Sequence, residues 1–385
     1  MISFELSEEQ HALRDMVAKF ARNEIMPIAA ECDRSGEFPL EVAQKAHELG
    51  LINISIPEEF GGSDLGMLEA CLVTEELAYG CAGIATSLLV NQLALTPLLL
   101  YGSLEQKEKF LKPICSSKEV KFASFALTEP GAGSDAAMIK TKAEREEGGG
   151  GYVLNGRKTF ITSGDIATIF VVFVSTDPAQ GHKGISAFIV PKESGVEIGK
   201  KEDKMGIRAS HTVELIFEDV RVPRENLLGV EGAGFYQAMG TLDLTRAIAA
   251  ALACGLAQRA LDESLNYASE RVQFGKPLLR HQLIQGKLAD MSMEIDAARL
   301  LMWRAAWLAD QGKTLALESS QAKAFAADTA MKAAIQAVQI FGGYGFMKDY
   351  PVEKLMRDAK IVQIYEGTSE IQRLVIAAEL AKKLR

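Results

Sequence analysis

The spacing of apolar positions changes twice along this chain. From residue 6 to about residue 121 it is helical: Leu13, Met16, Val17, Phe20 and Ala21 recur at three- and four-residue intervals. Ser7 and Gln10 precede them as an S-x-x-Q capping box, which marks a helix start. Further helices are expected over residues 40–49, 65–79 and 104–114, separated by breakers such as IPEEFGG. Between residues 122 and 229 the texture is that of strands. The runs 169–174, 185–190 and 213–217 are β-branched and aromatic and end at Gly or Pro. Tyr152-Val153-Leu154 and Lys158-Thr159-Phe160-Ile161 flank Asn155-Gly156, a strong hairpin signal because both central residues tolerate φ > 0. The EEGGGG tract at 146–151 reads as a flexible turn. From Gly232 onward helical spacing returns, with an alanine-rich stretch at 245–258 and long amphipathic patterns over 281–311 and 315–341. The order α, β, α divides the chain into a helical domain over 1–121, a β domain over 122–230 and a second helical domain over 231–385.

Composition narrows the function. With 48% hydrophobic and 24% charged residues, the chain is an ordinary globular sequence rather than a disordered or fibrous one. Its 42 basic against 51 acidic residues argue against nucleic acid as a partner, while a local pocket for a small anion stays possible. Cys32, Cys71, Cys81, Cys115 and Cys254 are scattered without a CxxC, so neither a disulfide framework nor a zinc site is expected. The histidines form no metal-binding pair, and no metal is expected. The first residues lack a basic stretch followed by an apolar one, as a secretory signal would need. Residues 77–104 carry no charge, but Gly80, Gly83, Asn91, Gln92, Pro97 and Gly102 interrupt them. A buried pair of helices fits that pattern better than membrane insertion.

Three segments could carry chemistry. Leu127-Thr128-Glu129-Pro130-Gly131-Ala132-Gly133-Ser134-Asp135 follows a candidate strand at 122–126; its glycines let backbone N–H groups approach a ligand, and it is equally compatible with a plain turn. In Ile364-Tyr365-Glu366-Gly367-Thr368-Ser369-Glu370-Ile371-Gln372, Ser369 and Gln372 form an S-x-x-Q cap. Glu366 lies just ahead of it among apolar Ile361, Val362 and Ile364. Desolvation there would raise its pKa as a general base requires, although a solvated loop glutamate reads the same locally. The third, Glu270 to Pro277, is a basic patch ending a helix, and Arg271 at a helix C-terminus needs no function beyond the dipole.

The motifs LTEPGAGSD, GRKTFITSG, ERVQFGKP, QIFGGYGF and MRDAKIVQIYEGTSEIQR, in this order, closely resemble the acyl-CoA dehydrogenase family over essentially the whole chain. FARNEIMPIAAECDRSGEFP through TEELAYGC is most similar to the medium-chain and short-chain members. The resemblance implies an α+β multidomain fold: an N-terminal α-helical domain, a middle antiparallel β domain and a C-terminal four-helix bundle, commonly in a homotetramer. It implies FAD between the domains, an acyl-CoA substrate, and electron-transferring flavoprotein as acceptor, as in fatty acid β-oxidation. By this likeness Phe125, Leu127, Thr128, Gly133 and Ser134 contact the flavin region, and Ser134 also reaches the acyl-CoA. Phe160, Ile161 and Thr162 line the flavin ring, with Phe160 where many members carry tryptophan. Arg271, Phe274, Gln282, Gln339 and Gly343 hold the adenine dinucleotide part, some of them from a neighbouring subunit. Thr368 and Glu370 close the site. Asp243 and Arg246 contact the CoA arm, and Gly367 lies against the substrate.

In the family the base takes the α-proton of the thioester while the β-hydrogen leaves as hydride to the flavin, giving a trans-2-enoyl-CoA. Each pKa unit of mismatch is worth about 1.36 kcal/mol, so such a site must stabilise an enolate-like transition state. The resemblance assigns the base to Glu366. Some members, the branched-chain isovaleryl enzymes among them, carry it instead just before the arginine matching Arg246, where this chain has Thr245. At the presumed bottom of the acyl pocket, small Ala85 would lengthen the cavity and Leu89 narrow it, two opposed effects that do not set the chain length. The resemblance implies a short- or medium-chain saturated acyl-CoA as substrate, with a cyclic, branched or dicarboxylic acyl-CoA and a non-catalytic binding role as alternatives. Family-like residues directly after Met1 lead us to expect a bacterial cytoplasmic protein, or a mitochondrial matrix protein if a transit peptide was removed.

Overall fold

The computed structural model describes residues 5–384. Its first helix, α1 (Glu8–Phe20), begins at the expected box: Ser7 Oγ accepts from the Gln10 N–H, and Gln10 Oε1 from the Ser7 N–H. There follow α2 (Ala29–Ser35), α3 (Leu40–Glu48), α4 (Met67–Gly80), α5 (Ala82–Leu88), α6 (Val90–Tyr101) and the short α7 (Leu104–Gln106) and α8 (Lys112–Cys115). The charge-free stretch thus becomes the end of α4 and all of α5 and α6, parted by extended backbone at Cys81. Ala82–Tyr101 is long and apolar enough to cross a membrane, but 72% of its apolar window is buried inside the protein.

The middle strands are β1 (Phe122–Ala126), β2 (Lys142–Arg145), β3 (Gly151–Thr162), β4 (Ala167–Ser175), β5 (Ile185–Pro191), β6 (Glu197–Lys201) and β7 (Thr212–Pro223). They order as β1-β4-β2-β3-β7-β6, with β5 also on β4. Pairing is antiparallel except at β4, where β1 runs parallel and β2 makes one parallel bridge, Lys142 to Ser175. β1 arrives from the helical domain and leaves its sheet edge into the LTEPGAGSD loop.

The Asn155-Gly156 hairpin does not form. β3 runs straight through both residues, and Gly156 sits at a register shift against β7. Asn155 pairs across the sheet with Asp219, its Nδ2 donating at 3.1 Å and its Oδ1 accepting from the Asp219 N–H at 2.9 Å. Gly156 is needed for a bulge: its φ is +146°, and a Cβ there would stand 2.7 Å from Thr141 Cα. The turn lies at the glycine tract, where Arg145 of β2 pairs with Tyr152 of β3.

Beyond the sheet come α9 (Gly234–Glu270), the two-residue strands β8 (Val272–Gln273) and β9 (Lys276–Pro277), α10 (Gln282–Asp310), α11 (Ala316–Phe341), α12 (Val352–Val362) and α13 (Ser369–Lys382). On α9, Ala247, Ala250 and Ala253 are fully buried, as are Ala327, Ala330 and Ala334 on α11. Side chains this small let the long helices approach closely. One apolar core runs from Val17 and Leu77 through Ala250 to Ala334 and Val362, so the first and last helical regions form a single body.

Candidate active site

Glu366 lies in the connection between α12 and α13. Glu366 and Gly367 are both left-handed, φ +51° and +87°. Glycine adopts this conformation freely, whereas a glutamate there is strained and must be held by its surroundings. Three bonds hold it. Lys323 Nζ donates to Gly367 O at 2.6 Å, and Gln372 Nε2 donates to Glu366 O at 3.0 Å and to Gly367 O at 3.1 Å. The expected Ser369–Gln372 cap is replaced accordingly. Thr368 is the N-cap of α13, its hydroxyl accepting from the Ile371 N–H, while Ser369 Oγ donates to Asp328 Oδ1 on α11. Gln372 is thereby free to reach back to the turn.

Thr245 on α9 donates its hydroxyl to Glu366 Oε2 at 3.1 Å. Burial pushes the Glu366 carboxyl up to about 7, against the opposing pull of Lys323, the Thr245 hydroxyl and Arg246. Among the described residues the Glu366 N–H has no protein acceptor. Next to it, Tyr365 packs against the apolar core that includes Ala82, Ala85 and Leu88 of α5, with Thr86 close to its hydroxyl, which places α5 against the site. Ala85 and Leu89, at 0% and 6% exposure, belong to that same buried segment. Arg246, also buried, pairs with Asp243 one turn earlier on α9, and its Nε has no partner.

The residues that the likeness assigns to the flavin converge at one end of the sheet. The Thr159 N–H donates to Thr128 O at 2.9 Å, and Ser124 Oγ to Thr162 O at 2.8 Å, joining β1 and its exit loop to β3. The Phe125 ring tilts onto Phe173 at 4.8 Å, Leu127 and Ile161 are buried, and Thr128 and Thr162 are half-buried. Phe160 is 63% exposed with φ +58°, an unusual conformation for an aromatic residue. Gly133 is open, with nothing within 4 Å of where a Cβ would stand, and Ser134 beside it is exposed.

Sequence reasoning missed the clamp beneath this loop. Buried Glu129 accepts from the N–H groups of Lys140 and Thr141 and from Lys158 Nζ at 2.7 Å; Lys158, fully buried, also donates to Leu127 O. Burial pushes the Glu129 carboxyl up, but Lys158 and the other donors outweigh it and hold it below its ordinary value. Burial lowers the Lys158 ammonium to about 8 against the pull of Glu129. Lys323 was missed as well. The one signal was a lysine on the small-residue face of α11, in line with Ala326, Ala327 and Ala330.

A third cluster gathers elsewhere. A cleft of about 540 Å³ is lined by Tyr267, Arg271, Gln273, Gly343, Tyr344 and neighbours. The Arg271 guanidinium lies over the Tyr344 ring at 5.5 Å. Gln282 and Gln339 are exposed, and Phe274 is 95% exposed with φ +52° at the β8–β9 turn. At 1.5 Å rise per residue, Arg271 lies about 39 Å along α9 from Thr245, so Glu366 and the Arg271 cluster occupy opposite reaches of one chain. Open glycines and exposed aromatic rings in both clusters, Gly133 with Phe160 and Gly343 with Phe274, and the Arg271 guanidinium stacked in one of them, suit a long, flat, phosphate-bearing cofactor such as FAD. Thr368 is half-buried, and Glu370 is exposed on the first turn of α13.

Family models for the N-terminal, middle and C-terminal domains of acyl-CoA dehydrogenases match residues 7–118, 124–220 and 232–381. The chain is 47% identical to the mitochondrial short-chain specific acyl-CoA dehydrogenase of Rattus norvegicus, over 100% of this chain and 92% of that protein. Among solved structures it is similar to butyryl-CoA dehydrogenase from Megasphaera elsdenii, with 44% identity and a TM-score of 0.95 over 99% of this chain and 100% of that one. It is equally similar to a chain in the structure of the electron transferring flavoprotein of Acidaminococcus fermentans, at 45% identity and a TM-score of 0.95 over 98% of this chain and 99% of that one. The chain belongs to the acyl-CoA dehydrogenase family of FAD-dependent oxidoreductases.

Proposed function

We propose that the protein oxidises a short-chain saturated acyl-CoA to its trans-2-enoyl-CoA, with Glu366 as the α-proton base. The observation that carries this reading is the half-buried Glu366 carboxylate, held in a strained turn and raised to about 7 by burial. A base poised near the working pH combines a large ionised fraction with useful proton affinity. The unbonded Glu366 N–H is available to the thioester oxygen, where negative charge develops as the α-proton leaves. Thr245 steers one carboxylate oxygen and leaves the other to take the proton. Asp243, Arg246, Ser134 and Gly367 bind the acyl-CoA, Arg246 with its remaining buried N–H. Phe125, Leu127, Thr128, Gly133, Ser134, Phe160, Ile161 and Thr162 hold the flavin region, and Thr368 and Glu370 flank it. FAD, when bound, supplies the acceptor for the β-hydrogen.

Because the Arg271 cluster is so far from Glu366, we assign Arg271, Phe274, Gln282, Gln339 and Gly343 to the cofactor of a neighbouring copy, in a homotetramer. Exposed Leu283, Met293, Leu300 and Trp307 along α10 supply apolar surface for that assembly. Similarity to a chain in the structure of an electron transferring flavoprotein supports such a protein as electron acceptor. Similarity to short-chain and butyryl-CoA enzymes supports a short acyl group. The test is kcat/KM across butyryl-, octanoyl- and palmitoyl-CoA with electron-transferring flavoprotein as acceptor. A maximum at butyryl-CoA is expected, and a maximum at palmitoyl-CoA would overturn the substrate assignment.

A further inference from the structure

Lys323 has no part in the chemistry described so far. It is fully buried on α11, beside Ser319, Ser320, Ala326 and Ala327. Removing an ammonium from water is costly unless it is bonded and paired with a counter-charge. Its bond is the 2.6 Å contact to Gly367 O, on the residue that follows the base.

The charges around it leave one counter-ion. Asp243 on α9 is taken by Arg246. Asp328 on α11 is taken by Arg373 of α13 at 2.6 Å and also accepts from Gln363 and Ser369. Glu370 on α13 is exposed. Glu366 remains.

We propose that Lys323 is a positioning residue for Glu366: through Gly367 O it fixes the left-handed turn that presents the carboxylate and the free N–H, and its buried positive charge favours the anion of the base over the neutral acid. This rests on Glu366 being the base. The electrostatics agree with the geometry. Burial lowers the Lys323 ammonium to about 8 while Glu366 opposes the fall, and among the effects opposing the rise of Glu366, Lys323 is the largest.

Three substitutions separate the two roles. Lys323→Gln keeps a donor for Gly367 O and removes the charge, Lys323→Arg keeps the charge, and Lys323→Met keeps neither. Flavin content and thermal midpoint first establish that each variant is folded and loaded. Stopped-flow reduction of the bound flavin by butyryl-CoA is then followed across neutral pH, with exchange of the substrate α-hydrogens in D₂O as a second readout of the base alone. Without the charge the acidic limb of both rates should move up by about one pH unit, about tenfold in rate below the limb. Lys323→Arg should bring it back towards wild type. A flavin-loaded Lys323→Gln with an unmoved limb would overturn the inference while leaving the base assignment standing. Should Lys323→Met fail to fold, the Gln and Arg variants decide. Failure of the wild type itself to react with any saturated acyl-CoA would remove the function and this inference together.

Discussion

A glutamate at φ +51°, half-buried beside a threonine hydroxyl, is less stable in the fold than a neutral side chain of the same shape would be. Its folded-state pKa, about 7, lies above the ordinary carboxylate value. The stability linked to that shift is therefore present below the unfolded pKa and lost as pH rises through about 7. In a Lys323→Gln background, where no buried ammonium is left unpaired, Glu366→Gln should accordingly raise the thermal midpoint at pH 8 and have little effect near pH 4, as calorimetry at the two pH values would show. Glu129 and Lys158 pose the opposite case. Removing one partner of a buried ion pair leaves a charge uncompensated, so Lys158→Met should cost about 3–5 kcal/mol in denaturant unfolding and lower flavin content. The double variant Glu129→Gln with Lys158→Met should recover most of that loss. The family motif singled out Glu366, and the Asp243–Arg246 pair lies one helical turn apart, within reach of local sequence. Lys158 and Lys323 were not legible, because a lysine in a strand or helix reads as a solvated position until its partner is known, and both partners are distant in sequence.

At the element scale, local signals succeeded where the deciding contacts are local. The Ser7–Gln10 box and the glycine-tract turn need only their own neighbours. Asn155-Gly156 misled because its outcome depends on Asp219, far along the chain on the strand that pairs with β3. The second capping box failed for a related reason: Thr368, one residue earlier, takes the cap, and tertiary partners claim both Ser369 and Gln372. Thr368→Ala should therefore cost about 1 kcal/mol, as loss of an N-cap does. Ser369→Ala should leave the cap of α13 intact, and denaturant titration of the two variants separates the assignments.

Across the whole molecule, the α–β–α order was visible in the changing period of apolar residues. That the first and last helical regions share one core was not, since no local pattern reports which helices meet. The distance of about 39 Å along α9 between Thr245 and Arg271 has a consequence for assembly. If one copy completes the cofactor site of another, Arg271→Ala should lower flavin retention while leaving the surroundings of Glu366 unchanged. Wild-type protein diluted until its assembly dissociates should lose flavin in step, as light scattering and flavin fluorescence together would show. Flavin held undiminished by a monomer would contradict the shared site.

The central claim is that Glu366 is the base. Its most direct test is anaerobic titration of purified wild-type and Glu366→Gln protein with butyryl-CoA, followed at the visible flavin band. The wild type should bleach, and the variant should keep its flavin and its colour. Bleaching of Glu366→Gln at the wild-type rate would contradict the assignment.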